Sequence, residues 1–105
     1  MTRAEAIKQA LENLTVIDAI SEPAPEDAAK VGKRLDQVRA TLIELGLCWW
    51  DADDIPDSVA IAFCDLVATA SQSVFGKQYD SGTAQARIAA VKSSARNEPV
   101  RALYF

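Results

Sequence analysis

The sequence predicts an all-α protein: a small four-helix bundle-like domain with an extended C-terminal tail. Two observations predict it. Apolar residues recur at steps of three and four in four separate stretches, which puts each set on one helix face. Proline or glycine stands where those stretches should start or stop. The only room left for extended chain is a short hairpin at 47–56. The 105 residues fit one domain with one modest core. We divide them as a helical domain at 1–98 and a tail at 99–105. Half of the residues are hydrophobic and a quarter are charged, as in a folded chain and unlike a disordered one.

The first helix is expected at 3–14. Thr2 and Glu5 have the spacing of a capping box, and Ala6, Ile7, Ala10, Leu11 and Leu14 form an apolar stripe. Residues 15–24 read as a connector held down by Val16, Ile17 and Ile20 and closed by Ser-Glu-Pro-Ala-Pro.

The longest helix is expected at 25–45, and the rest of the chain reads as packing on it. Its seam is Ala28, Val31, Leu35, Val38, Leu42 and Leu45. Pro23 and Pro25 mark the start. Glu26 and Asp27 fall in the first turn, where carboxylates suit the helix dipole. Gly46 stands where a left-handed closing residue belongs. Val31, Leu35, Val38 and Leu42 should pack on Leu11, Phe63 and Leu66.

Leu47, Cys48, Trp49 and Trp50 follow as an aromatic plug. Asp51, Asp53, Asp54 and Asp57 then put four carboxylates in seven residues. A calcium loop would also need a central Gly and a distal Glu, and this stretch has neither. The reading taken is a turn and a helix N-cap, with Pro56 in the first turn. A third helix is expected at 57–75 from Val59, Phe63, Leu66, Val67, Ala70 and Val74, stopped by Gly76. Ile61 and Cys64 widen its apolar arc, so it is either central or covered by a partner. A fourth helix is expected at 82–96 from Ala84, Ile88, Val91 and Ala95, with Arg87, Lys92 and Arg96 on its outer face.

Pro99 should end helical structure. The tail then closes on Val100, Arg101, Ala102, Leu103, Tyr104 and Phe105, apolar where chain ends are usually polar. Either it folds back over its own helices or it seeks a groove elsewhere.

The net charge of −4 is unevenly spread. Residues 1–76 hold thirteen acids against six bases, whereas residues 77–105 hold two against five. An acidic body does not bind a phosphate backbone on its own account. The basic end is either a solvated helix face or a dock for an acidic surface. There is no histidine, and Cys48 and Cys64 are not in metal-ligand spacing. Buried free thiols are expected, with no disulfide in a reducing cytosol. The charged N-terminal segment does not read as a signal peptide, and no apolar run is long enough to cross a bilayer. No phosphate loop, nucleophile elbow, zinc motif or aromatic-interleaved basic patch is present. The reading is not an enzyme: no catalytic residues, no cofactor and no metal.

Several of these stretches, in order, resemble the small helical head–tail connector (adaptor) proteins of tailed bacteriophages and gene transfer agents, the tail accessory factor group. The resemblance begins at the amphipathic segment running into Leu14-Thr15-Val16-Ile17. It continues through Ser21-Glu22-Pro23-Ala24-Pro25-Glu26-Asp27-Ala28-Ala29, Arg34-Leu35-Asp36 and Leu45-Gly46-Leu47. After Trp49 or Trp50 come Asp53-Asp54-Ile55-Pro56 and an Ala-rich helix closing at Phe75-Gly76. It covers residues 3–76. Such proteins often carry Asn at the position of Asp36 and Gly near Ile20, where this chain departs.

The resemblance implies a virion structural protein made in the bacterial cytoplasm. It would form a ring of about a dozen copies below the portal, continue the DNA channel and accept the tail or a stopper protein. Double-stranded DNA would pass without specific binding. Portal contact would fall to the tail residues Val100, Arg101, Leu103, Tyr104 and Phe105. Candidates for the contact between copies are Trp49, Trp50, Asp51, Asp53 and Asp54 on one side and Arg87, Lys92 and Arg96 on the other. The alternative is a small cytosolic helical protein-binding or regulatory module, antitoxin-like.

Overall fold

The computed structural model describes the backbone of residues 1–103 and the side chains of residues 1–93. Its four helices are α1 (Arg3–Asn13), α2 (Pro25–Glu44), α3 (Asp57–Ser71) and α4 (Ala84–Leu103). The protein is all-α, and its C-terminal helix extends the four-helix domain. The molecule measures 52 × 22 × 21 Å.

α1 starts on the expected capping box. The Thr2 hydroxyl accepts from the Glu5 amide, and the Glu5 carboxylate accepts from the Thr2 amide. The end of α1 is less ordinary. The Val16 amide reaches back to the Leu11 carbonyl and the Thr15 amide to that of Glu12. These two bonds define a Schellman closure, whose pivot is left-handed and usually glycine. Here the pivot is Thr15, with φ 59°. A β-branched residue is strained in that region.

α2 runs as expected, from Pro25 at its first turn to the same closure around Gly46, which has φ 73°. Leu47 N–H bonds Leu42 C=O at 2.8 Å and Gly46 N–H bonds Ile43 C=O at 3.0 Å. The seam holds only in part. Val31, Leu35 and Leu42 are buried, Val38 and its expected neighbour Leu66 are half-buried, and Leu45 is 53% exposed. The reason is geometric. Five steps from Ala28 to Leu45 cover seventeen residues. At ~100° per residue they fall roughly 100° short of five full turns. The stripe winds off the core face before the helix ends.

α3, and not α2, is the hub: α1, α2 and α4 all pack on it. Val59, Phe63, Cys64, Val67 and Ala68 are fully or nearly fully buried, which fits a helix apolar around most of its surface. Regular helix stops at Ser71, four residues short of the expectation. The chain then tightens into a 3₁₀-like turn, Val74 N–H to Ser71 C=O, and Gly76 with φ 64° closes it.

Residues 47–56 form no hairpin. They make a turn closed by one bridge between Asp51 and Asp54. The expected aspartate cap on α3 is absent: Pro56 holds the N-cap place and no side chain caps it. α4 also departs from expectation. Its backbone stays helical through position 99 to Leu103, so it matches α2 in length. Proline removes one amide donor but fixes φ near a helical value, so it weakens a helix without always ending it.

Candidate functional site

The acidic turn is where the chain brings distant segments together. Its backbone pairs with the N-terminal segment: Ile55 N–H bonds Met1 C=O at 2.8 Å, and the Met1 nitrogen bonds Ile55 C=O at 2.9 Å. The Asp53 carboxylate accepts the Arg3 amide at 2.8 Å. That amide is one of the unpaired donors at the start of α1. The capping carboxylate thus serves a different helix from the one its position in sequence suggests. Asp51, Asp54 and Asp57 remain exposed, as does Asp53 itself.

The Arg3 side chain extends the same junction onto α2. Its guanidinium takes both Asp36 oxygens, at 3.0 and 3.3 Å, and the Gly32 carbonyl at 3.1 Å. Gly32 is what lets it lie there. A Cβ at that position would sit 2.8 Å from Arg3 Nη2 and 3.3 Å from Ile7 Cδ1. This clamp was not foreseen from the sequence. A glycine inside an otherwise strong helix was its one available signal.

The tryptophans divide. Trp50 is buried, edge-on to Phe63 at 5.6 Å, and its carbonyl accepts from Arg39. It belongs to the core. Trp49 packs edge-on against it at 5.0 Å but is 46% exposed. With Ile43 and Leu45, also exposed, it puts apolar surface at the C-terminal end of α2.

The α4 bases with described side chains, Arg87 and Lys92, are engaged within the chain. Arg87 pairs with Asp65 at 2.9 Å, and Lys92 Nζ donates to the Gly46 carbonyl at the negative end of α2. Asp65 is a polar hub: its other oxygen accepts the Tyr79 hydroxyl at 2.7 Å and the Asn13 amide at 3.5 Å. That bond to Asp65 is the main reason the Tyr79 phenol is pushed up to about 12. Burial does the same to the Cys64 thiol, which also reaches about 12 and so stays protonated and unreactive. Both cysteines are free. Arg96 and the tail residues Val100, Arg101, Leu103, Tyr104 and Phe105 lie outside the residues whose side chains are described.

Elsewhere the perturbed groups are local turn-makers. Hydrogen bonds from the Thr2 amide and hydroxyl hold Glu5 below its ordinary value. The Ser21 hydroxyl, with the amides of Ser21 and Ile20, does so for Asp18. The Asp18 turn holds Ile20 out at 91% exposure, which corrects its expected role as a pin for the connector. Among the described residues, no group of three or more Asp, Glu, Cys or His side chains is placed to hold a metal ion. No described helix is long and apolar enough to cross a membrane.

Comparison of the chain with protein-family models, curated proteins and solved structures finds no match.

Proposed function

We propose that this protein is a head–tail connector of a tailed phage or phage-like particle, one of a ring of copies between portal and tail. The observation that carries the reading is the course of α4. The helix touches the end of α2 where Lys92 meets the Gly46 carbonyl. Its backbone continues to Leu103, and the sequence there is apolar at Val100 and Leu103, with Tyr104 and Phe105 following in the sequence. A compact body followed by a helix ending in an apolar peptide suits a part that grips a neighbour.

Two further points support the reading. The order of sequence motifs over residues 3–76 carries the resemblance noted above. The body is acidic, which keeps a DNA conduit from being adhesive. In this account the portal takes the C-terminal segment, the tail or a stopper docks on the other end, and DNA passes unbound. The chain carries no catalysis and needs no cofactor.

The test is incorporation. Particles purified from cells expressing the full chain, or the chain lacking 100–105, are probed for it. The full chain should be present and the truncated chain absent. A full chain missing from particles removes the proposal.

A second reading, a helical protein-binding regulator, draws on one observation. A hollow of about 370 Å³ lies between α1 and the start of α2, lined by Ala4, Ile7, Pro23 and Ala28, with Lys8 and Glu22 paired at its rim. Such a hollow suits a partner's apolar side chain. Co-purification with one cytosolic protein, and never with particles, would select this reading.

A further inference from the structure

We propose that the basic hollow between α2 and the turn after α3 receives the acidic turn of a second copy of this chain. The contact is Lys30, Lys33 and Arg34 on one copy against Asp51, Asp53, Asp54 and Asp57 on the next. It deepens the connector reading, and rests on it for the expectation that copies join head to tail.

The hollow measures about 340 Å³ and is lined by Lys30, Lys33, Arg34, Gln37 and Val74. Val74 is half-buried and gives it an apolar floor among three cations. Most other bases with described side chains are occupied. Arg3, Lys8 and Arg87 are ion-paired, and Arg39 and Lys92 bond carbonyls. Lys30, Lys33 and Arg34 have no carboxylate within ion-pair distance among the described residues. Glu26 is one turn from Lys30 and does not reach it.

The placement suits one occupant. Leu35 points into the core. Asp36, one residue later, lies ~100° round α2 one way, and Arg34, one residue earlier, ~100° the other way. The Asp36 flank carries the acidic turn, through Arg3, which bonds Asp36 with its side chain and Asp53 with its amide. The Arg34 flank carries the hollow. The bases spread from Arg34 over the solvent side of α2, with Lys33 one turn from Asp36, so the centre of the hollow lies roughly 110° round the helix from Asp36. Two separate, unlike and complementary patches are what a head-to-tail contact between identical copies requires. Of the α4 bases expected from sequence to face the acidic turn, Arg87 and Lys92 are spent on Asp65 and Gly46 inside the chain.

The test is sedimentation velocity of the full chain across concentration. It is run at low ionic strength, where the screening length is about 30 Å, and at 1 M salt, where it is about 3 Å. The wild type should self-associate at low salt and be monomeric at high salt. K30E/K33E/R34E should weaken association at least tenfold, and so should D51K/D54K. An equimolar mixture of the two variants should associate at low salt as the wild type does. That rescue cannot come from misfolding, and melting curves of each variant check the fold independently.

A wild type that is monomeric throughout overturns the proposal. So does a triple variant that associates normally, or a mixture that stays monomeric. Short duplex DNA supplies the last arm: if it binds the wild type, is lost in K30E/K33E/R34E, and self-association is absent, the hollow belongs to nucleic acid. Self-association with no protein in particles would sink the connector reading alone. Protein in particles without this contact would sink this proposal alone.

Discussion

Thr15→Gly should stabilise the protein. Thr15 holds φ 59° at the pivot that closes α1. A left-handed conformation costs an ordinary residue about 1–2 kcal/mol, and glycine escapes that cost. Two terms oppose the gain. Glycine adds about 0.5–1 kcal/mol of unfolded-chain freedom. The Thr15 hydroxyl also gives up its 2.6 Å bond to the Leu14 carbonyl. Thr15 is exposed, so water replaces most of that bond. The net gain should be about 0.5–1 kcal/mol, or roughly 2–8 °C in Tm for a domain of this size. Both Schellman bonds survive, because they use backbone alone.

Thermal and urea melts followed by circular dichroism measure it. Thr15→Val is the control: it keeps the β-branch and loses the hydroxyl, so it should melt at or below the wild type. If Thr15→Gly also melts at or below the wild type, the strain argument is wrong.

Leu35→Ala, in the fully buried part of the α2 seam, should cost about 2–5 kcal/mol in urea unfolding, and an unchanged midpoint would put the seam outside the core. Gly32→Leu should cost about 1–3 kcal/mol by displacing Arg3 and crowding Ile7, whereas the same change at exposed Gly76 should act through its positive φ alone. Calorimetry with calcium should be flat across the Asp51 to Asp57 turn; a saturable micromolar heat would reopen a metal role. In a Tyr104→Phe chain, tyrosinate absorbance should report Tyr79 ionising at about 12. The sign follows from a raised folded value: the Tyr79–Asp65 contribution is intact below the ordinary tyrosine value of about 10 and is lost as pH rises through 12. Ionisation of the folded protein complete near the ordinary value would break the Asp65 hub.

The helices were legible because their signals are local. Thr2 with Glu5, Pro25 and Gly46 each state their role within four residues of chain and hold that role in the fold, while Gly76 closes a turn beyond the end of α3. What was hidden depends on distance. Asp53 looked like a cap for α3 because only sequence neighbours were in view, while its partner, Arg3, lies fifty residues away. The same limit hid the Arg3–Gly32–Asp36 clamp and the Asp65 hub. The α2 seam failed at Leu45 for a different reason: its steps average shorter than a helical turn, and the drift grows with length. Trp50 and Trp49 have the same chemistry and adjacent positions, and only the packing of Phe63 separates core from surface. The basic hollow could not be read at all, since it needs Val74 brought beside α2.

The connector account is tested most directly by locating the chain in purified particles. Particles assembled with a chain labelled at an exposed α2 position outside the proposed contact, such as Ala40, are imaged by electron microscopy. The account predicts label as a ring at the single vertex joining head to tail, and no label when residues 100–105 are deleted. Label spread over the capsid, or particles that assemble complete without the chain, would contradict it.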